Sequence, residues 1–294
     1  MHDCHADIYE HPQAYCTALT KAAGSNFYYA FMPLPRERRD ALFVIYAFCR
    51  YADDIVDEEA DKQVAAKRLD EWRDECHAAL KGNPGHPITI RLAEVIEQFE
   101  IDPGLPFELL DGMAMDLATP VRYPDFPTLR RYCYRAASVV GMMCIKVFGC
   151  QHPDAMRFAD AHGMAFQLTN ILRDVAKDAE IGRIYLPQDE LARFGVTEQD
   201  LLDGHDFAAY RDLMAFQAER ARDYYKEAAI LAASLPRRDQ RALLPSRIMG
   251  AIYGALLDEM TERQFRTGAP VSLSTPRKLY LAGKAYLDHL GGRW

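Results

Sequence analysis

The chain has 294 residues, enough for one large domain or two small ones, and its 49% hydrophobic content supplies ample core material. A formal net charge of −8 argues against non-specific binding to nucleic acid, and the longest clean apolar run, Ala41 to Cys49, is about half the ~20 residues that span a bilayer. Seven cysteines form no Cys-x-x-Cys unit, which excludes a zinc ribbon and points to reduced cytosolic thiols rather than a disulfide frame.

In chain order, MHDCHADIYEHPQ is polar and lacks the apolar core of a secretory signal. His2, Cys4, His5 and His11 there resemble a metal cluster but read as a frayed terminus over residues 1–12. Pro35 opens a long helix running through Glu58, with proline near the first position where it is favoured. A charged amphipathic helix over 62–81 closes at Gly82-Asn83-Pro84-Gly85. Helical periodicity continues over 87–99, 105–118, 127–149, 153–178, 206–233, 238–264 and 277–289, and Pro245 is expected to kink or interrupt the 238–264 segment. With no alternating β pattern, linker or repeat, the chain reads as all-α and as one domain over 1–294.

Two aspartate pairs lie inside the most apolar helical stretches. Asp53 and Asp57 follow Leu42–Phe48, and Asp174 and Asp178 follow Phe166–Leu172. A spacing of four places both carboxylates of a pair on one helix face. Ionised carboxylates on an apolar face are costly to bury unless something cationic meets them, which suggests Mg²⁺ and a phosphorylated ligand. Spacing alone does not separate a metal site from a solvated face: Asp70 and Asp74 in KRLDEWRDE have the same spacing among charged neighbours.

The second acidic helix adds Gln167 and Asn170, so that Gln167, Asn170, Asp174 and Asp178 form one polar stripe along about three turns. The opposite flank, including Met164, Leu168, Ile171 and Val175, is apolar. A surface helix with a polar outer face would also give this pattern, yet an outer face seldom excludes Lys and Glu for three turns, and here neither appears before Lys177.

The segments NFYYAFMPLPRERRDALFVIYAFCRYADDIVDE, YCYRAASVVG and GMAFQLTNILRDVAKDAEIGRIYLP resemble, in order and separation, the squalene/phytoene synthase family, over about residues 13 to 289. Within it, the Phe-Tyr-Tyr-Ala block and Ala-Phe-Cys-Arg lead-in are most similar to the bacterial branch that makes presqualene diphosphate for hopanoids. The resemblance implies an all-α isoprenoid-synthase bundle around a central cavity, with Mg²⁺ as cofactor. It carries metal binding to Asp53, Asp54, Asp57, Asn170, Asp174 and Asp178. Substrate contacts fall to Arg50, Ser25, Phe27, Gln167, Asn170, Arg173, Arg183 and Tyr253, and proton handling or cation stabilisation to Tyr132. The Ala136–Gly141 segment supplies small apolar residues for the cavity, although any one of them fits an ordinary core equally well.

The implied reaction joins two farnesyl diphosphates into presqualene diphosphate without NADPH. The family's other products, phytoene, dehydrosqualene or squalene, are the alternatives, and a noncatalytic helical assembly factor is the alternative of another class. Implied partners are farnesyl diphosphate and a downstream squalene-forming enzyme, with no nucleic acid. The expected location is cytoplasmic or peripheral at the inner membrane face, with the basic C-terminal segment (Arg263, Arg266, Arg277, Lys278, Lys284, Arg293) either a solvated face, closed over diphosphate, or docked on that membrane. This chain departs from the family at Ala22-Ala23-Gly24 before the Phe-Tyr block and at Lys177 in the second acidic motif. His162, five residues before the polar stripe, reads as structural.

Overall fold

A proline or a capping side chain stands at the start of most helices. The computed structural model describes residues 11–22, 30–266 and 271–291. Helix α1 (Pro12–Ala22) is followed by the long α2 (Arg36–Asp57), for which Pro35 is the N-cap, where a missing N–H costs nothing. Asp61 caps α3 (Lys62–Leu80), its carboxylate accepting from the Gln63 and Val64 N–H groups at 2.8 and 3.3 Å. Helices α4 (Pro87–Gln98) and α5 (Leu105–Met115) each carry proline in the first turn. After the short strand β1 (Val121–Arg122), Asp125 caps α6 (Phe126–Cys133). A π-helical turn, Tyr134–Ser138, leads into α7 (Val139–Phe148).

The second half begins with α8 (Asp154–Glu180), then β2 (Arg183–Ile184), α9 (Gln188–Phe194) and α10 (Glu198–Leu202). Next come α11 (Ala208–Ser234), α12 (Arg237–Ala242), α13 (Leu244–Glu262) and α14 (Thr275–Leu290). The all-α expectation holds, and the break expected at Pro245 falls at Leu243, between α12 and α13. Three helices were not expected: α1, and the short α9 and α10, whose seven and five residues give too little periodicity to read. Residues 1–10 of the expected frayed terminus lie outside the described residues, whereas Pro12 opens α1. The expected continuous helix over 127–149 is divided by the π turn, which lies where Gly112 of α5 and Gly163 of α8 let neighbouring backbones approach. The strands β1 and β2 pair in parallel, Val121 with Arg183 and Arg122 with Ile184, too briefly for any alternation to show.

Helix α8 runs through the middle and packs most extensively on α11. At 27 residues it is about 40 Å long. Its first half (Phe158, Ala159, Ala161) joins a core formed with α2, α4, α5, α7 and α13. Its second half (Met164, Leu168, Ile171, Leu172) joins a core with α6, α9 and α11. A fully buried side chain such as Leu42, Phe48, Met164 or Leu213 contributes ~1.5–3 kcal/mol of transfer free energy. The six described cysteines are free thiols.

Candidate active site

Both acidic pairs sit at the C-terminal ends of their helices. Ala41–Ile45 and Phe48 anchor α2 in the core, so the helix emerges from it at Asp53, Asp54 and Asp57. Helix α8 is buried through Leu172 and delivers Asp174 and Asp178 in its last turns. The helix macrodipole is negative there, so carboxylates are placed against stability, and a cation is what these positions favour. The Asp53 side chain is 45% exposed, yet burial and the neighbouring Asp57 push its pKa up to about 7, with Arg50 pulling the other way. Water reaches its oxygens while the walls of a cleft limit their solvation. Burial and then Asp174 push Asp178 likewise up to about 7. The comparison pair, Asp70 and Asp74, is exposed on α3.

Each acidic motif carries arginine. Arg50 bridges Asp54 at 2.5 Å and Asp53 at 3.5 Å. Arg173 donates through Nε to Asp174 at 2.9 Å and also bonds the Tyr253 hydroxyl. Arg183 is 8% exposed and donates to Asp57 at 2.7 Å. The β1–β2 pair sets its position, and Arg122 secures that pair by donating to the Gly182 carbonyl at 2.7 Å and to Glu198.

Between the motifs lies a group that motif spacing did not reveal. Asp116 is 5% exposed, and its two oxygens each accept one tyrosine hydroxyl at 2.9 Å, from Tyr132 and from Tyr185. The two rings stack at 5.0 Å, and Tyr123 stacks on Tyr185 at 5.7 Å. Asp116 raises the pKa of both Asp53 and Asp178, and Arg183 attracts Asp116 and Asp57, so the two motifs converge on this network. Burial pushes Asp116 itself up to about 6, against the pull of Arg183 and the two hydroxyls. A signal existed in the sequence: Asp116 ends the apolar run LLDGMAMD, the same context that marks Asp53 and Asp174. Tyr134 points elsewhere, its hydroxyl 3.9 Å from the Met142 sulfur.

Beside the acidic cleft lies an apolar cavity of about 240 Å³, walled by residues such as Phe31, Leu42, Val140, Phe166 and Tyr253. Ala136, Ala137, Val140 and Gly141 line it, whereas Ser138 and Val139 turn into the core. His162 stands in its wall between Phe158 and Phe166, and burial pushes its pKa down to about 3, so it is a neutral wall residue. The polar end is formed by Gln167 and Asn170, two turns and one turn before Asp174 respectively. The Asn170 amide donates weakly to Gln167 at 3.5 Å, and its buried Oδ1 has no hydrogen-bond partner among the described residues. An orphaned amide oxygen next to crowded carboxylates fits a hard divalent cation. Among the described residues no three His, Cys, Asp or Glu side chains converge into a closed cage, so the donors suit an ion that completes its shell with ligand oxygens and water.

The structure thus brings Asp53, Asp54, Asp57, Arg50, Arg173, Arg183, Asp174 and Asp178 around one cleft, with Gln167, Asn170 and Tyr253 on the adjoining cavity. Tyr132 is placed behind the acidic motifs, 5% exposed and bonded to Asp116. Ser25 and Phe27 lie outside the described residues, as do His2, Cys4 and His5. No helix among the described residues is long and apolar enough to cross a membrane.

The squalene/phytoene synthase family profile matches residues 20–279. The presqualene diphosphate synthase of Rhodopseudomonas palustris is 38% identical over 263 residues, covering 88% of this chain and 91% of that protein. The phytoene synthase of Arthrospira platensis is 35% identical over 263 residues, covering 85% and 84%. A crystal structure of a dehydrosqualene synthase in complex with ligand superposes with a TM-score of 0.84 at 28% identity, covering 96% of this chain and 98% of that one. The arrangement of helices is the all-α isoprenoid-synthase bundle, and the chain belongs to the squalene/phytoene synthase family.

Proposed function

We propose that the chain joins two farnesyl diphosphates into presqualene diphosphate with release of diphosphate, for squalene and hopanoid synthesis. Head-to-head prenyl transfer is the chemistry of the family, and the choice of product is our reading. The observation that carries it is the continuity of an apolar cavity, through Gln167 and Asn170, with two acidic motifs that converge on Asp116 and Arg183. Such a site takes a hydrocarbon chain at one end and a diphosphate at the other.

Electrostatics dictates the order of the parts. Two unit charges 4 Å apart interact by ~1 kcal/mol in water and about 4 kcal/mol at an effective dielectric of 20. Aspartates gathered at one cleft therefore repel until cations arrive. Asp53, Asp54, Asp57, Asn170, Asp174 and Asp178 would hold Mg²⁺, which when bound neutralises the charge that diphosphate gains as it leaves. Arg50, Arg173 and Arg183 are paired with aspartates now and stand ready to donate to phosphate oxygens. Gln167 and Tyr253, with Ser25 and Phe27, complete the proposed substrate contacts.

The C1–O bond of one farnesyl diphosphate breaks, and the C2–C3 electron pair of the other attacks C1. Loss of one proton closes the cyclopropane, and Tyr132 is the group to which we assign handling that proton or stabilising the cation. The cavity's Ala136, Val140 and Phe166 keep water from the cation. In this reading NADPH is not used, and a squalene-forming enzyme consumes the product.

The test is incubation of purified protein with Mg²⁺ and farnesyl or geranylgeranyl diphosphate, with and without NADPH, followed by identification of the lipid. Presqualene diphosphate from the C15 substrate alone is expected. A C40 product, or squalene or dehydrosqualene, would reassign the reaction within the family, and no turnover of either substrate would reject the enzyme reading in favour of an assembly role.

A further inference from the structure

Helix α14 carries apolar residues on the side that faces away from the core. Ala285 is buried, and Leu281 and Ala282 pack on the first core, so one face of the helix is accounted for. Elsewhere on the helix Leu279, Tyr280, Tyr286, Leu287 and Leu290 are 53, 68, 41, 65 and 66% exposed. At 100° per residue these five positions fall within one arc of about 120°, opposite Ala285. They are five of the eleven large hydrophobics exposed among the described residues, and the other six are scattered over other elements, as is usual for a soluble surface.

The chemistry of the stripe and its borders selects the partner. Leucines with tyrosines, whose rings are apolar and whose tips are polar, suit the boundary between lipid and water. Cations border it. Residues 271–291 contain Arg277, Lys278 and Lys284 against the single acid Asp288, in a chain of net charge −8. Arg241 and Arg247 add positive charge next to His289, beside the end of the stripe. Part of this charge is engaged: Arg277 bonds Glu259, and Lys284 bonds Asp288 at 2.8 Å. A second copy packed antiparallel on the stripe would bring the Arg277 and Lys278 end of one helix to the Arg241 and Arg247 end of the other, which like charges oppose.

We propose that α14 docks the chain peripherally on an anionic phospholipid surface, Leu279, Tyr280, Leu287 and Leu290 entering the headgroup region while the flanking cations meet lipid phosphates. Helix α13 lies between this surface and the active site: it packs on α14, and its Pro245, Ser246 and Met249 line the apolar cavity. Docking therefore places one cavity wall next to the bilayer. The proposal does not depend on which product the enzyme makes.

The test is flotation of the full chain with vesicles of phosphatidylcholine alone or with phosphatidylglycerol added. Binding to the anionic vesicles is expected, weaker on the neutral ones and weaker in high salt. The double substitution Leu287→Glu/Leu290→Glu should lower the vesicle partition at least about tenfold. Tyr280→Ser, at the most exposed position of the stripe, should lower it in the same direction. Circular dichroism and thermal melting should be unchanged in both, because all three positions are exposed. Turnover of detergent-solubilised substrate separately reports the enzymatic reading. No flotation with either vesicle, or flotation that the substitutions leave intact, overturns the proposal. So does sedimentation velocity that shows a dimer dissolved by Leu287→Glu/Leu290→Glu, which would assign the stripe to self-association.

Discussion

Asp53, Asp57, Asp174 and Asp178 occupy the negative ends of two helices, where a carboxylate destabilises the chain unless it has a task. Asp53→Asn and Asp174→Asn are expected to lower turnover at least about tenfold, since even changes behind metal ligands cost ~10–100-fold. Asp70→Asn, on an exposed face with the same sequence spacing, should be nearly silent in the same steady-state assay. Equal effects at all three positions would mean that apolar context does not mark function. Asp116→Asn belongs to the same series. The amide keeps the size of the carboxylate but offers one acceptor where two tyrosine hydroxyls are now held, so kcat should fall at least about tenfold with KM little changed. Asp116 was within reach of the sequence, because it ends an apolar run as the other aspartates do. Without a partner four residues away on the same helix face, however, nothing in the local pattern joined it to Tyr132 or Tyr185.

At the scale of elements, long helices were legible and short ones were not. Helices α2, α8, α11 and α13 present several turns of apolar periodicity, and proline, glycine or aspartate marks many of the ends. Helices α9 and α10, the two-residue strands and the π turn depend instead on partners distant in sequence. The π turn gives the clearest test. A Cβ on Gly163 would stand 2.6 Å from the Ser138 Cα and 2.8 Å from its nitrogen, backbone atoms that cannot move aside as a flexible side chain can. Gly163→Ala is therefore expected to destabilise the chain by ~1–3 kcal/mol, read from urea unfolding, and to displace the cavity-lining Ala136 and Ala137. A stability unchanged by that substitution would show that α8 and the π turn can separate at no cost. Gly112, whose Cβ would stand 2.8 Å from that of Arg135, faces the other side of the same turn.

At the scale of the whole molecule, crowding of carboxylates links stability to pH. The folded chain raises Asp53 and Asp178 from the ordinary value of 3.8 to about 7, so their protonated forms are favoured by folding. Their contribution is fully present below the ordinary value and is lost as pH rises through about 7. The metal-free chain should therefore melt at lower temperature above that pH than below it. Asp53→Asn and Asp178→Asn should flatten the dependence, and Mg²⁺ with diphosphate should restore the lost stability above pH 7, all read by thermal melting. A profile that neither substitution nor metal alters would remove the electrostatic basis of the site.

The sequence by itself determined the helical class, the two acidic motifs with the polar stripe of Gln167 and Asn170, and the family. These follow from periodicity, from side-chain type and from order along the chain, all of which are local properties or simple sequences of them. Only the tertiary structure decided that Asp116 joins Tyr132 and Tyr185 behind those motifs, that a parallel strand pair sets Arg183 against Asp57, and that α14 turns an apolar stripe outward. Each of these depends on which segments meet across scores of residues. That choice is made by the packing of buried faces, and no single stretch of chain contains it.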